Sequence, residues 1–181
     1  SGEIINFLES IGMEYGPHLN ASTGYEETIY YLKIPTDNPA NIKKSMMVLA
    51  DFAGEVSFKE QAFENERKVV VEEWRQSLGS SERQIEKLIQ ISFENSKYAL
   101  RNPIGKVDLI KTFDPQRARD FYYEWYRPEL MAVIAIGDFE KENIVSLIKE
   151  HFSPLTNPTQ TRPKEVYSVP FTSKDSVHFV T

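Results

Sequence analysis

The chain of 181 residues contains no cysteine. Disulfides, thiolate zinc sites and a cysteine nucleophile are therefore excluded, while the compartment stays open, since cytosolic and periplasmic proteins can both lack cysteine. Positive charge is also scarce. Against 27 acidic residues stand 21 basic ones, giving a formal charge of −6, and no Lys/Arg run exceeds two residues. Nucleic acids and acidic membranes select clustered basic side chains, so neither is an expected partner. The longest apolar run, "LMAVIAI" at 130–136, is far too short to span a bilayer. No secretory leader is legible in the opening "SGEIINFLESIG". Histidine is rare: His18, His151 and His178 stand far apart, without the i, i+3 or i, i+4 pairing that puts two imidazoles on one helix face. No Ser/His/Asp set and no Gly-rich phosphate loop is present.

What remains is ordinary globular composition, 40% hydrophobic and 27% charged, with enough chain for a real core. The opening helix should bury Ile4, Ile5, Phe7, Leu8 and Ile11 and stop at Gly12. "PHLNAST" (17–23) and "ETIYYLKIP" (27–35) flank a short Gly-containing connection and predict a β-hairpin. Asn38 followed by Pro39 opens a helix over 39–54. A long helix runs from Lys59 to about Leu78, and Ser80 or Ser81 should cap the next, carrying Ile85, Leu88, Ile89 and Phe93. Residues 100–105 read as a loop. Asp114 and Pro115 start another helix, "LMAVIAIGD" (130–138) reads as a buried strand, and "KENIVSLIKEHF" (141–152) as an amphipathic helix. "SPLTNPTQTRPKEVYSVP" holds four prolines in eighteen residues and reads as a linker, and "SVHFVT" as the possible start of a strand. The pattern predicts an α+β domain with a mostly antiparallel sheet and helices packed on one face. Residues 1–153 form that domain, and 154–181 lead into a following one.

Within the long helix, "ENERKVVVEEWR" (64–75) sets Glu66 and Glu73 seven residues apart on one stripe with Ala62, Val69 and Val70. Glu pairs on long helices are most often a solvated face. Carboxylates on an apolar stripe are alternatively satisfied by Arg, Lys or a cation. The residues alone leave both readings open. Tyr25, Tyr30, Tyr31 and Trp74 read as core or sheet-face aromatics, and Arg101 and Arg127 as ion-pair or capping partners.

Four segments together resemble the insulinase/pitrilysin family of zinc metallopeptidases, which includes the mitochondrial processing peptidases. They are "GMEYGPHLNASTGYEETIYYLKIP", "FENERKVVVEEWR", "RNPIGKVDLI" and "FYYEWYRPELMAVIAIGDF", in the family's order over about residues 3 to 152. The resemblance implies that Glu73 is a zinc ligand and Glu66 a supporting carboxylate on the same helix face. It implies that an inverted His-x-x-Glu-His motif supplies two more ligands and the base that activates a zinc-bound water. It also implies that Asn20 and Ala21 lie on an edge strand that grips an extended peptide substrate. No His-x-x-Glu-His occurs in residues 1–181, and the family pattern places it upstream of Ser1. The expected function is thus a piece of a zinc metalloendopeptidase acting on unfolded or small polypeptides, with a second half-molecule or partner subunit completing a chamber. Alone, these residues are expected to be inert, to hold no zinc tightly and to self-associate. The alternative is a non-catalytic relative that binds or presents polypeptides.

Overall fold

The computed structural model describes residues 2–170. The chain is helix-rich α+β, with α1 (Gly2–Ser10), β1 (Leu19–Thr23), β2 (Thr28–Leu32), α2 (Pro39–Gly54), α3 (Glu60–Gln76), α4 (Ser80–Ser92), α5 (Val107–Thr112), α6 (Pro115–Trp125) and α7 (Lys141–Phe152). The predicted local signals explain most boundaries. Gly12 at φ +74° lets the Met13 N–H return to Leu8 O at 2.8 Å, closing α1. Asn38 Oδ1 accepts the Ala40 N–H at 3.0 Å, and Asp114 Oδ1 the Gln116 N–H at 2.8 Å. Strands β1 and β2 pair antiparallel, Leu19 opposite Leu32 and Thr23 opposite Thr28.

The described residues fall into two compact units. The first comprises residues up to Thr23, Glu27–Ser57 and Ala118–Arg162. Among the described residues it holds every buried apolar side chain: Phe7, Leu8, Leu19, Met46, Val48, Ala50, Tyr122 and Ile144. Tyr122 donates its hydroxyl to Phe52 O at 2.9 Å, and burial pushes that phenol up to about 12. Tyr30 stacks on Phe52 at 5.3 Å, and its hydroxyl lies 2.6 Å from that of Tyr126. Arg127 is buried, its Nε 2.8 Å from Glu129 Oε1 and its Nη2 donating to Arg162 O at 2.7 Å. The Pro-rich segment is therefore fastened here, and Asn157 Oδ1 accepts the Glu129 N–H at 3.1 Å.

The second unit comprises Gly24–Glu26, Phe58–Arg117 and the residues from Pro163 on. No apolar side chain in it is buried among the described residues. Polar and cation–π contacts knit it instead. The Arg67 guanidinium lies between the rings of Phe63 (5.0 Å) and Phe113 (4.8 Å). Its Nη1 donates to Ile110 O and its Nη2 to Phe113 O at 2.9 Å, so it caps the carbonyl end of α5 from α3. Tyr98 donates to Glu26 Oε1 at 2.6 Å, and Lys97 pairs with Glu165 at 3.2 Å while lying 3.8 Å from the Tyr167 ring.

Four expectations differ from the structure. Ile5 is 43% exposed rather than inward, because α1 seats Phe7 and Leu8. Gly79, not a serine, precedes α4, and no side chain caps it. α5 forms within the stretch left without an element. Residues 131–136 are no strand: alternate side chains face in and out, with Ile134 80% and Ile136 92% exposed. The extended period is present, but no neighbouring chain among the described residues supplies the ladder bonds that define a strand.

Two outcomes follow. Arg67→Met should lower unfolding free energy by about 3 kcal/mol in denaturant titration, since two carbonyls at the end of α5, of Ile110 and Phe113, lose a charged donor. The Tyr98 hydroxyl is the largest influence holding Glu26 below the usual carboxylate range, helped by Lys164. That contribution to stability is whole above the ordinary carboxylate value and is lost as pH falls through the depressed one. In an NMR titration, Tyr98→Phe should return Glu26 toward the ordinary value.

Candidate functional site

Helix α3 has two faces of different character. Phe63, Arg67, Val70, Val71 and Trp74 are half-buried and follow the i, i+4, i+7, i+8 spacing of one packed face. Ala62, Glu66, Val69 and Glu73 are exposed, Val69 at 56%. For this stripe the residues alone leave open a solvated face or one compensated by a cation. Within the described residues it faces solvent, because the rings and the guanidinium of the other face offer far more area and bonding than Ala62 and Val69.

The four acids nearest the motif separate cleanly. Glu64 pairs with Arg67 at 3.1 Å and Glu72 with Arg75 at 2.7 Å, each three residues apart. Glu66 and Glu73 join no ion pair or side-chain hydrogen bond among the described residues. Both remain open acceptors on one stripe of a well-formed helix.

Zinc needs several donors at once, commonly imidazole or thiolate with carboxylate. Among the described residues no group of three His, Cys, Asp or Glu side chains could hold a metal. The histidines do not help. His18 lies in the turn before β1, not on a strand, and its Nδ1 accepts the Glu14 N–H at 3.0 Å. His151 ends α7 with a buried, unpartnered Nε2. His178 lies outside the described residues. Glu73 would fit as one carboxylate donor; the described residues do not make up a whole zinc site.

Asn20 and Ala21 sit on β1, both exposed, with Tyr31 and Tyr30 opposite them. Among the described residues β2 is the one strand paired with β1; the other edge of β1 meets Tyr15 in a single bridge at Leu19, and the Ala21 N–H there donates to Asn20 Oδ1 at 2.8 Å. Of the aromatics read as core or sheet-face residues, Tyr25 is 37% exposed, in the connection between the strands, and Tyr30 and Tyr31 on β2 are 38% exposed, while Trp74 is half-buried on α3. Sequence reasoning missed Arg67. Its one local signal is Glu64 three residues earlier; the carbonyls that it holds are 43 and 46 residues away in the chain.

Residues 1–104 match the family model described as insulinase (peptidase family M16), and residues 112–180 match that of the peptidase M16 inactive domain. "Probable zinc protease PqqL" of Haemophilus influenzae is 35% identical over 95% of this chain and 19% of its own length. The crystal structure of the periplasmic protease PqqL from Escherichia coli has a TM-score of 0.88 at 29% identity, over 94% of this chain and 19% of that one. The ferredoxin protease FusC, in complex with Arabidopsis ferredoxin, gives 0.84 at 28% identity, over 93% and 19%. The chain thus spans about a fifth of the length of these relatives. With more than half of its residues under the first model, and TM-scores of 0.88 and 0.84 to these structures, the chain belongs to the insulinase (M16) peptidase family, whose relatives named here are proteases.

Proposed function

We propose that the chain is part of a zinc-dependent metalloendopeptidase that hydrolyses unfolded or small polypeptides. Glu73 contributes one carboxylate to the zinc, and Glu66, on the same stripe, is the supporting carboxylate. Residues 1–153 belong to the first peptidase domain, and 154–181 lead to the next. The observation that carries the reading is the sorting of acids on α3. Two of the four are neutralised by arginines, while the two at the family's positions are left open. The arginines stand three residues after Glu64 and Glu72, so the two acids at the family's positions stay available to a cation.

The two imidazole donors and the base come from outside residues 1–181, which contain no His-x-x-Glu-His. By themselves these residues hydrolyse no peptide and hold zinc only weakly. Asn20 and Ala21 receive an extended substrate on the β1 edge, and a second half-molecule or partner subunit closes the chamber. A polypeptide as the bound class is supported by the related FusC, described in complex with a ferredoxin. A second reading, a relative that binds polypeptides without cutting them, draws on the inactive-domain match over 112–180.

Metal analysis of the whole protein tests the choice. About one zinc per chain is expected, lost in Glu73→Gln and weakened roughly 10- to 100-fold in affinity by Glu66→Gln, the range for a group that supports a ligand. Full occupancy in Glu73→Gln would remove the ligand assignment. A metal-free protein that still binds peptides would favour the second reading.

Residues 1–181 alone should self-associate. Ile134 and Ile136 stand exposed on an extended run that is unpaired among the described residues, and Ile85 and Leu88 are exposed on α4. Light scattering should report a mass above the monomer that falls when Ile134 and Ile136 are replaced by lysine. A monomer at high concentration contradicts it.

A further inference from the structure

Where α2 and α6 both end, the first unit holds a cavity of about 250 Å³, room for one long side chain. Ala53, Pro128, Pro154, Leu155 and Pro158 form its apolar wall. Leu155 comes so near that a Cβ built on Gly54 would lie 2.5 Å from its Cδ2, so a glycine there lets the wall close on α2. The rest of the lining is polar or aromatic: Glu55, Tyr122, Tyr123 and Tyr126. Its polar features share one sign. Glu55 is exposed and joins no ion pair among the described residues, whereas Glu150, Glu129 and Glu124 of the same unit pair with Lys43, Arg127 and Arg162. Ala53 and Gly54 end α2, and Tyr122 and Tyr123 lie in the last turn of α6. Helix carbonyl ends carry partial negative charge, which a basic residue in the last turn commonly balances; neither helix has one. Among the described residues Ala53 O and Gly54 O accept no hydrogen bond, and no Lys or Arg lines the cavity. The Tyr123 ring, 59% exposed, adds an electron-rich face. One turn before Glu55, Asp51 is held above the usual carboxylate range by burial first and then by the Glu55 charge, with His151 opposing.

We infer that this cavity receives the side chain of a lysine on a bound polypeptide, its ammonium held by Glu55, the two helix ends and the Tyr123 ring. The prolines and Leu155 suit the four-carbon stem, which long basic side chains lay along apolar surface. An ammonium fits the lining better than a guanidinium. It is a compact charge with three donors, and the negative groups here are spread over separate elements. A guanidinium plane is matched instead by an acid that takes two of its donors at once. The polypeptide as bearer rests on the proposed function; the preference for a cation rests on the cavity alone.

Saturation-transfer NMR on the whole protein, titrated with acetyl-lysine methylamide, tests it. The probe is a single blocked residue, so the measurement reads binding alone and its failure is separate from a failure of the zinc assignment. Saturable binding is expected. Glu55→Gln should weaken it about five-fold, the difference between a charged and a neutral acceptor. Tyr123→Ala should weaken it about two- to five-fold, the range for an exposed ring beneath a cation. Both side chains are exposed, so both variants should fold, and circular dichroism checks that they do. The same probe acetylated on Nζ should bind at least about five-fold more weakly than the charged one. Absence of binding overturns the inference, and so does binding that Glu55→Gln leaves unchanged, which puts the probe elsewhere. Equal binding of the acetylated probe overturns the cation. Binding of the arginine analogue as tight as that of lysine overturns the choice of an ammonium, and unchanged binding by Tyr123→Ala overturns the role of the ring.

Discussion

Arg67 fixes which way α3 faces. Its guanidinium sits between two phenyl rings and donates to two carbonyls at the end of α5, with Glu64 completing its neutralisation. A side chain so constrained on every side sets the rotation of its helix about the helix axis. Everything placed on the remaining stripe is thereby aimed. Glu66 and Glu73 are held outward by a contact that neither of them makes.

This arrangement reverses the usual reasoning about acids on an apolar stripe. Burying an unpaired carboxylate would be costly, and the structure does not bury these two. It leaves them solvated beside Ala62 and Val69, which are exposed as well. The second unit as a whole is built on the same plan. It closes with cation–π contacts and ion pairs where the first unit closes with buried aliphatic and aromatic side chains. Apolar side chains such as Ile85, Leu88 and Leu109 stay more than half exposed.

Legibility in the sequence followed the range of the interaction. The caps at Asn38 and Asp114, the glycine after α1 and the hairpin were readable because their partners lie within a few residues. The alternation of 131–136 was readable, but a strand also needs a neighbour, which a single segment cannot announce. Composition showed that the segment after Ser153 is not helical. It could not show Arg127 gripping Arg162 O or Lys97 pairing with Glu165, 68 residues apart. At the candidate site the pair Glu66 and Glu73 was legible as a pattern and as a resemblance. Their freedom from partners, and the lock that provides it, required the distant carbonyls of Ile110 and Phe113.

The central claim is that α3 presents Glu73 to a metal whose other donors come from elsewhere in the protein. Anomalous diffraction at the zinc edge from crystals of the whole protein tests it most directly. The account predicts a Glu73 carboxylate oxygen at about 2.0–2.2 Å from the zinc, with Glu66 beside it on the same helix face. A zinc ion bound wholly by other residues, with Glu73 turned to solvent, would contradict it.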